Sequence, residues 1–536
     1  MEHLDEITLL AGRFAQLNGI LKKNGDLISP LSCTLLPSPF PLQSLEFARS
    51  IQQDFNLLFH KVAGSHSFLE SLMKHIIEHD DYMQHLWDIY NRVRQQDRMQ
   101  DIFLGLNRSD YMLHQDPDMD PRLKESIDER LRRTYQSAQF HANTHYDWQG
   151  LVLRQVEFNL MASSFCGMSQ RIVQQHRQCL SLCGFSEESL IRVPECNAAD
   201  NFADAMATAV QLYLKECGQS SSGSSSVAAV MMIVSSAESN AYDQAALFAS
   251  LVSRHPHIPV MIRTFEDLHA TTGRLKLDDD LRLFVDGRHV GVVYFRFGYI
   301  PDHFPNEETW DVKYQLERSM AIKCPCIQYM LANTKLVQAA LSKPSELAKF
   351  IDPSKPSYSH ILSTFAKQFT LTDSFGLFDQ EEVDQVIKNC LSDPHLYVLK
   401  PQREGGGNNY FDDELVTKLN SLLEQGDHFS YIIMERLFPF IVENFILTSP
   451  DPTKRHEMVS ELGIFGAFIG LYPFPQSDVT ESLDCQLSDV RSLSNPLCFE
   501  VKLHKSLQHP YSLSNQHGML VQTYQPQGRC VVTQFY

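Results

Sequence analysis

From Val227 to Ser235 the chain reads Val-Ala-Ala-Val-Met-Met-Ile-Val-Ser, apolar without alternation. A strand with one wet face alternates polar and apolar residues, so this run predicts a strand covered on both faces. Such a strand needs helices on either side, and the neighbouring sequence supplies candidates. Residues 243–254 have helical spacing, 258–262 read as a second strand, and 281–285 pair with 290–295 around the turn dipeptide Asp286-Gly287. Strands alternating with helices imply an α/β layer around a mostly parallel sheet. Just upstream, the Ser- and Gly-rich run 218–226 cannot bury a core and marks a loop or hinge.

The flanks are built differently. Leu45, Ala48, Ile51, Phe55, Leu58 and Val62 recur at helical spacing, and residues 68–77 and 82–98 continue a helical N-terminal region. Residues 101–106 read as a short buried strand, 113–150 as a charged surface insertion, and 155–165 as strand-like. Further on, 317–341 read as helix, 395–400 as strand, 412–423 as helix, and 431–435 and 461–469 as strands. A chain of 536 residues is too long for one simple core, so two or three domains are expected.

Charge and cysteine usage narrow the function. The formal charge is −19 with no dense Lys/Arg run, which argues against a nucleic-acid partner. No apolar stretch approaches the length of a membrane span, and the acidic start Met-Glu-His-Leu-Asp-Glu is unlike a signal peptide, so the cytosol is the expected location. The twelve cysteines are scattered and are expected as thiols. Neither His176, Cys179 and Cys183 nor Cys324 and Cys326 has the spacing of a tetrahedral zinc site.

The chemistry concentrates in Lys400-Pro401-Gln402-Arg403-Glu404-Gly405-Gly406-Gly407-Asn408-Asn409, between a strand and a helix. Consecutive glycines let backbone N–H groups approach and cradle phosphate. Lys400 and Arg403 add positive charge, and Glu404 offers a hard oxygen suited to Mg²⁺. The Lys precedes the glycines, so this is not the Walker pattern. Glu157 and Asn159 lie two apart in a strand, on one face, where both oxygens can reach one ion.

The 400–409 segment resembles the signature of eukaryotic-type glutathione synthetases of the ATP-grasp superfamily. Residues 103–112, 157–159, 283–299, 318–325 and 460–466 are similar to further family segments in the same order. The resemblance implies an α/β (α+β) fold: an ATP-grasp catalytic core with a helical N-terminal region and an inserted parallel-sheet substrate-binding domain. It implies a core part over 1–226, a substrate domain over 227–341, an ATP-binding part over 342–470 and a divergent tail over 471–536. The implied reaction is ATP-dependent ligation of γ-glutamylcysteine and glycine through an acyl phosphate.

The resemblance also implies site roles. Glu157, Asn159 and Glu404 bind Mg²⁺. ATP is held by Glu157, Lys323, Lys400, Pro401, Gln402, Arg403, Glu404, Gly405–Gly407, Asn408, Asn409, Phe411, Met434, Glu435, Arg436, Leu437 and Glu461. The dipeptide meets Arg108, Met161, Ala162, Ser163, Ser164, Glu238, Ser239, Asn240, Gln244, Arg296, Phe297, Gly298 and Tyr299. Arg108, Lys400 and Glu404 are the implied catalytic groups; Cys324 is not expected to act as a nucleophile. A homodimer, without nucleic acid or membrane partners, completes what the family implies.

Departures are local until the end. Ala162 stands in place of a serine, Ser239 of an arginine, Phe297 of an acidic residue and Phe411 of a tyrosine. Family members finish with a strand carrying Arg-Thr-Lys and a glycine- and alanine-rich loop, and nothing similar follows Gly470 here. Weakened turnover is therefore expected, and the alternative is a nucleotide-binding subunit without the lid that dimerises with an intact synthetase.

Overall fold

The computed structural model describes residues 4–115, 150–218, 227–402, 408–439, 441–451, 454–471, 519–524 and 530–533. The expected insertion lies largely outside them, as do most of the Ser/Gly run, Arg403–Gly407 and most of the tail.

The apolar run forms the strand Ala229–Ile233, buried at every residue. Its alternate side chains enter different cores. Ala229, Met231 and Ile233 pack with Phe265, Trp310 and Leu316, while Val230 and Met232 pack with Phe202, Leu247 and Leu251. It pairs in parallel with Val260–Arg263 and Arg288–Phe295, and Ile322–Cys324 joins Arg288–Phe295 in parallel. The strands Leu283–Val285 and Leu275–Leu277 extend the sheet antiparallel. Asp286 and Gly287 turn the hairpin with φ of 50° and 76°, positive at both central residues.

A second sheet is organised by Ile102–Gln115, antiparallel to both Leu151–Asn159 and Arg455–Leu471. The expected short strand ending at Leu106 is thus corrected to a long one. The polar stretch Asn107–Asp110 stays in the strand because its side chains find partners: Asn107 donates to Asn56 at 3.2 Å, Ser109 donates to Tyr111 at 2.8 Å and Arg108 pairs with Asp110. The helix Leu42–Gly64 lies against this sheet so closely that a Cβ on Gly466 would sit 2.7 Å from Gln52 and Asn56 side-chain nitrogens.

The strand Met519–Tyr524 returns to pair with Arg455–Leu471, setting Gln522 opposite Glu461, and Cys530–Thr533 pairs with it in turn. A terminal strand is therefore present after all, without Arg-Thr-Lys in it: it reads Met-Leu-Val-Gln-Thr-Tyr.

A third, smaller sheet is antiparallel: Gln368–Thr370, Tyr431–Glu435 and Tyr397–Pro401. The helices Gln380–Ser392 and Asp412–Gln425 cover it over a core of Val386, Cys390, Leu399, Leu415, Leu419 and Ile433. The expected helix over 317–341 is corrected to several pieces. Glu307–Arg318 ends, the strand Ile322–Cys324 follows, and new helices run over Ile327–Ala332 and Lys335–Leu341. Pro325 has no N–H to continue a helical ladder, and Thr334 caps the last helix by accepting from Val337 N at 3.4 Å. Among the described residues no helix is long and apolar enough to cross a membrane.

Candidate active site

Register brings the first group together. In the second sheet Arg108 lies opposite Asn159, and Asp110 opposite Glu157. The Arg108 guanidinium forks onto Asp110, with Nε and Nη2 each donating at 2.7 Å to a different carboxylate oxygen. Asp110 Oδ2 also accepts from Asn159 Nδ2 at 2.8 Å. That bond commits the amide N–H side of Asn159 and leaves its carbonyl oxygen turned away from Asp110.

Two lysines approach from other elements. Lys335, in the first turn of Lys335–Leu341, donates to Glu157 Oε2 at 2.8 Å. Lys400, on Tyr397–Pro401, donates to the Val156 carbonyl at 3.1 Å. Arg108, Asp110, Asn159, Lys335, Lys400 and Glu461 are all buried. Burial works against charge on Glu157, but Lys335, Lys400 and Arg108 outweigh it and hold the group at about 2. Burial pushes the Asp110 carboxyl up against the pull of the Arg108 fork. Burial, then Asp110 and Glu157, raises Glu461 well above the carboxylate range. The centre thus sets the Glu157 carboxylate among three cations, Lys335, Lys400 and Arg108, with Asp110 and Glu461 beside them.

Asp110 and Lys335 were not singled out from the sequence. Asp110 lies inside the family-like segment 103–112, two residues from Arg108. Lys335 gave no signal, being a single lysine behind a threonine.

A second group adjoins the first. Arg296 Nη2 donates to Ser164 Oγ at 2.9 Å, and its Nη1 to the Ala162 carbonyl. Arg108 Nη1 reaches the Ser164 carbonyl at 3.1 Å, tying the two groups together. Ser163 donates to the Asn159 carbonyl at 3.4 Å. Glu238 accepts from Asn240 N at 2.7 Å and from Gln244 Nε2 at 2.9 Å, while Ser239 is exposed. Phe297 stacks on His303 with ring centroids 3.7 Å apart, and Gly298 N and Tyr299 N donate to His303 Nδ1. Met161 and Tyr299 line a small cleft together with Asn333, Thr334 and Gln402.

A third group sits on the small sheet. Met434 is buried opposite Val398, and Leu437 packs against Met434, Val398 and Ala366. Glu435 pairs with Lys367 at 3.2 Å, and Arg436 lies 5.1 Å from the centroid of the exposed Phe411 ring. Pro401 ends its strand; Gln402 accepts from Leu336 N at 2.8 Å, which links it to the helix bearing Lys335. Asn408 and Asn409 are exposed. Arg403, Glu404, Gly405, Gly406 and Gly407 lie outside the described residues.

Lys323 is not brought to this centre. It lies on Ile322–Cys324, donates to the Ser319 carbonyl at 2.6 Å, and has Glu317, Cys326 and Lys313 as its titratable neighbours. The lysine that meets Glu157 is Lys335.

Residues 1–482 match the model of the eukaryotic glutathione synthase, ATP binding domain family. The class is that of an ATP-dependent ligase. The chain belongs to the eukaryotic glutathione synthase family. It is 35% identical to the glutathione synthetase of Homo sapiens over 474 residues, covering 87% of this chain and 89% of that protein. It is 31% identical to the chloroplastic glutathione synthetase of Solanum lycopersicum over 440 residues, covering 81% and 69%. Among solved structures, a glutathione synthetase like-effector from Globodera pallida in its apoform superposes with a TM-score of 0.68, over 99% of this chain and 96% of that one. At 20% identity that likeness shows the fold alone.

Proposed function

We propose that this chain joins γ-glutamylcysteine to glycine, using ATP and releasing ADP and phosphate. The observation that carries the reading is the hydrogen-bonded cluster of Arg108, Asp110, Asn159, Glu157 and Lys335, with Lys400 on the neighbouring Val156 carbonyl and Arg296 joined to it through Ser164. Phosphoryl transfer to a carboxylate needs little covalent help. It needs charge neutralisation and alignment. Lys335 and Lys400 neutralise phosphate oxygens; Arg108 and Arg296 supply the positive charge that meets the dipeptide carboxylate. The carboxylate attacks the γ-phosphate to give an acyl phosphate, and the glycine amine then displaces phosphate to form the amide.

The oxygens of Glu157 and Asn159 form a hard donor pair that fits Mg²⁺, and Glu404 completes the proposed set. When bound, Mg²⁺ would offset phosphate charge. Asp110 fixes the Asn159 amide and Lys335 the Glu157 carboxylate, and such outer partners orient metal ligands. The strand Tyr431–Glu435 and the segment through Leu437 form the adenine side. A homodimer is supported by the family membership of the chain. The acidic composition fits a cytosolic enzyme without nucleic-acid partners.

A second reading, a nucleotide-binding subunit of weakened activity, is favoured by the last described strands. Neither Met519–Tyr524 nor Cys530–Thr533 carries a lysine or arginine, although the former runs beside Glu461. Mass-spectrometric detection of glutathione in a mixture of the chain with ATP, Mg²⁺, γ-glutamylcysteine and glycine separates the two. Its absence, with ATP binding retained, would replace the first reading with the second.

A further inference from the structure

Residues 162–165 make a turn that their side chains do not favour. Ala162 and Phe165 have φ of 47° and 73°, both in the left-handed region. Non-glycine residues there cost on the order of 1 kcal/mol or more each and persist only where surroundings hold them. On one side the holders are Arg296, which donates to Ala162 and Ser164, and Arg108, which donates to the Ser164 carbonyl. Those guanidinium groups are also assigned to the dipeptide, so their grip on the turn is shared with a ligand.

The other side is held by a group with no such second duty. Asp243 is 1% exposed. Its Oδ2 accepts from Phe165 N at 2.7 Å, and its Oδ1 from Gly167 N at 2.9 Å and Met168 N at 3.1 Å. These amides open the helix Cys166–Leu182, whose own N-cap residue, Phe165, supplies no side-chain acceptor. Asp243 therefore caps one helix from the first turn of another, Ala241–Arg254. The two helices touch: a Cβ on Gly167 would lie 2.4 Å from the Ala246 Cβ.

We propose that Asp243 is a positioning residue that couples the substrate segments 161–164 and 238–244. It keeps the strained turn in place when Arg296 and Arg108 engage the dipeptide. It need not touch substrate. The proposal rests on the ligase reading above.

Asp243→Asn and Asp243→Ala test it. The amide retains one acceptor oxygen, so Asn should act more mildly than Ala. Losing a helix cap of about 1.4 kcal/mol corresponds to about tenfold, so KM for γ-glutamylcysteine should rise by roughly that factor in Asp243→Asn. KM for ATP should stay within about twofold, because the nucleotide side is on other elements. Hydrogen exchange at Phe165, Gly167 and Met168 should quicken while that of Ala229–Ile233 stays unchanged. Unchanged exchange in the turn overturns the coupling. So does an equal loss of ATP and dipeptide affinity, or failure of Asp243→Asn to fold, since either makes the contact a general stability determinant. If the unaltered chain does not bind γ-glutamylcysteine, the ligase reading fails separately, and the exchange rates still decide the coupling.

Discussion

Lys335 Nζ lies 2.8 Å from Glu157 Oε2, an ion pair between residues 178 positions apart. It fixes the helix Lys335–Leu341 to the sheet edge that carries Asn159, and so the side proposed for phosphate to the side proposed for the metal. Lys335→Met should lower kcat/KM for ATP by about 10²–10³, the size of losing one preorganised electrostatic contact in a closed site. Steady-state kinetics with varied ATP measures this. A change below about threefold would show that Lys335 serves folding only.

The Arg108–Asp110 fork is buried, so breaking it from one side leaves an unpaired charge. Asp110→Leu should destabilise the protein by about 3–5 kcal/mol in urea unfolding. The double variant Arg108→Met/Asp110→Leu should recover much of that stability without recovering ligation. Equal destabilisation in the single and double variants would contradict this account of the pair.

His176 is fully buried, and its Nε2 lies 2.9 Å from the Thr34 carbonyl oxygen. Burial lowers the imidazole from 6.5 to about 4. The unfolded chain therefore binds the extra proton first. The contribution is fully present above pH 6.5 and is lost as pH falls towards 4, by about 3 kcal/mol in total. Urea midpoints of the unaltered chain and His176→Gln, compared across that window, should converge as pH falls. Parallel curves would exclude the effect.

Gly298 has φ of +95°, and a Cβ there would meet the Phe265 ring at 2.9 Å. Gly298→Ala should cost about 1–3 kcal/mol of stability through strain and crowding. Because Tyr299 follows directly, KM for the dipeptide should rise as well. Calorimetry and kinetics on one preparation would separate the two effects.

Much of this was legible in the sequence. The unbroken run at Val227 announced a two-sided strand because burial on both faces removes alternation. Asp286-Gly287 announced a hairpin because both positions tolerate positive φ. Glu157 and Asn159 were legible as a pair because strand spacing puts them on one face. Other features were not legible, for physical reasons. The strand Ile102–Gln115 runs through Asn107–Asp110 because those polar groups are satisfied by partners such as Asn56, which lies 51 positions away from Asn107. Lys323 and Lys335 look alike as letters. Only the packing of their elements places one against Ser319 and the other against Glu157. Asp243 resembled an ordinary first-turn acid, and its three amide partners come from another helix.

The most direct test of ligation is ADP release with each substrate omitted in turn. The account predicts release that requires both γ-glutamylcysteine and glycine, with one glutathione formed per ADP. ATP binding without such dependent release would contradict it.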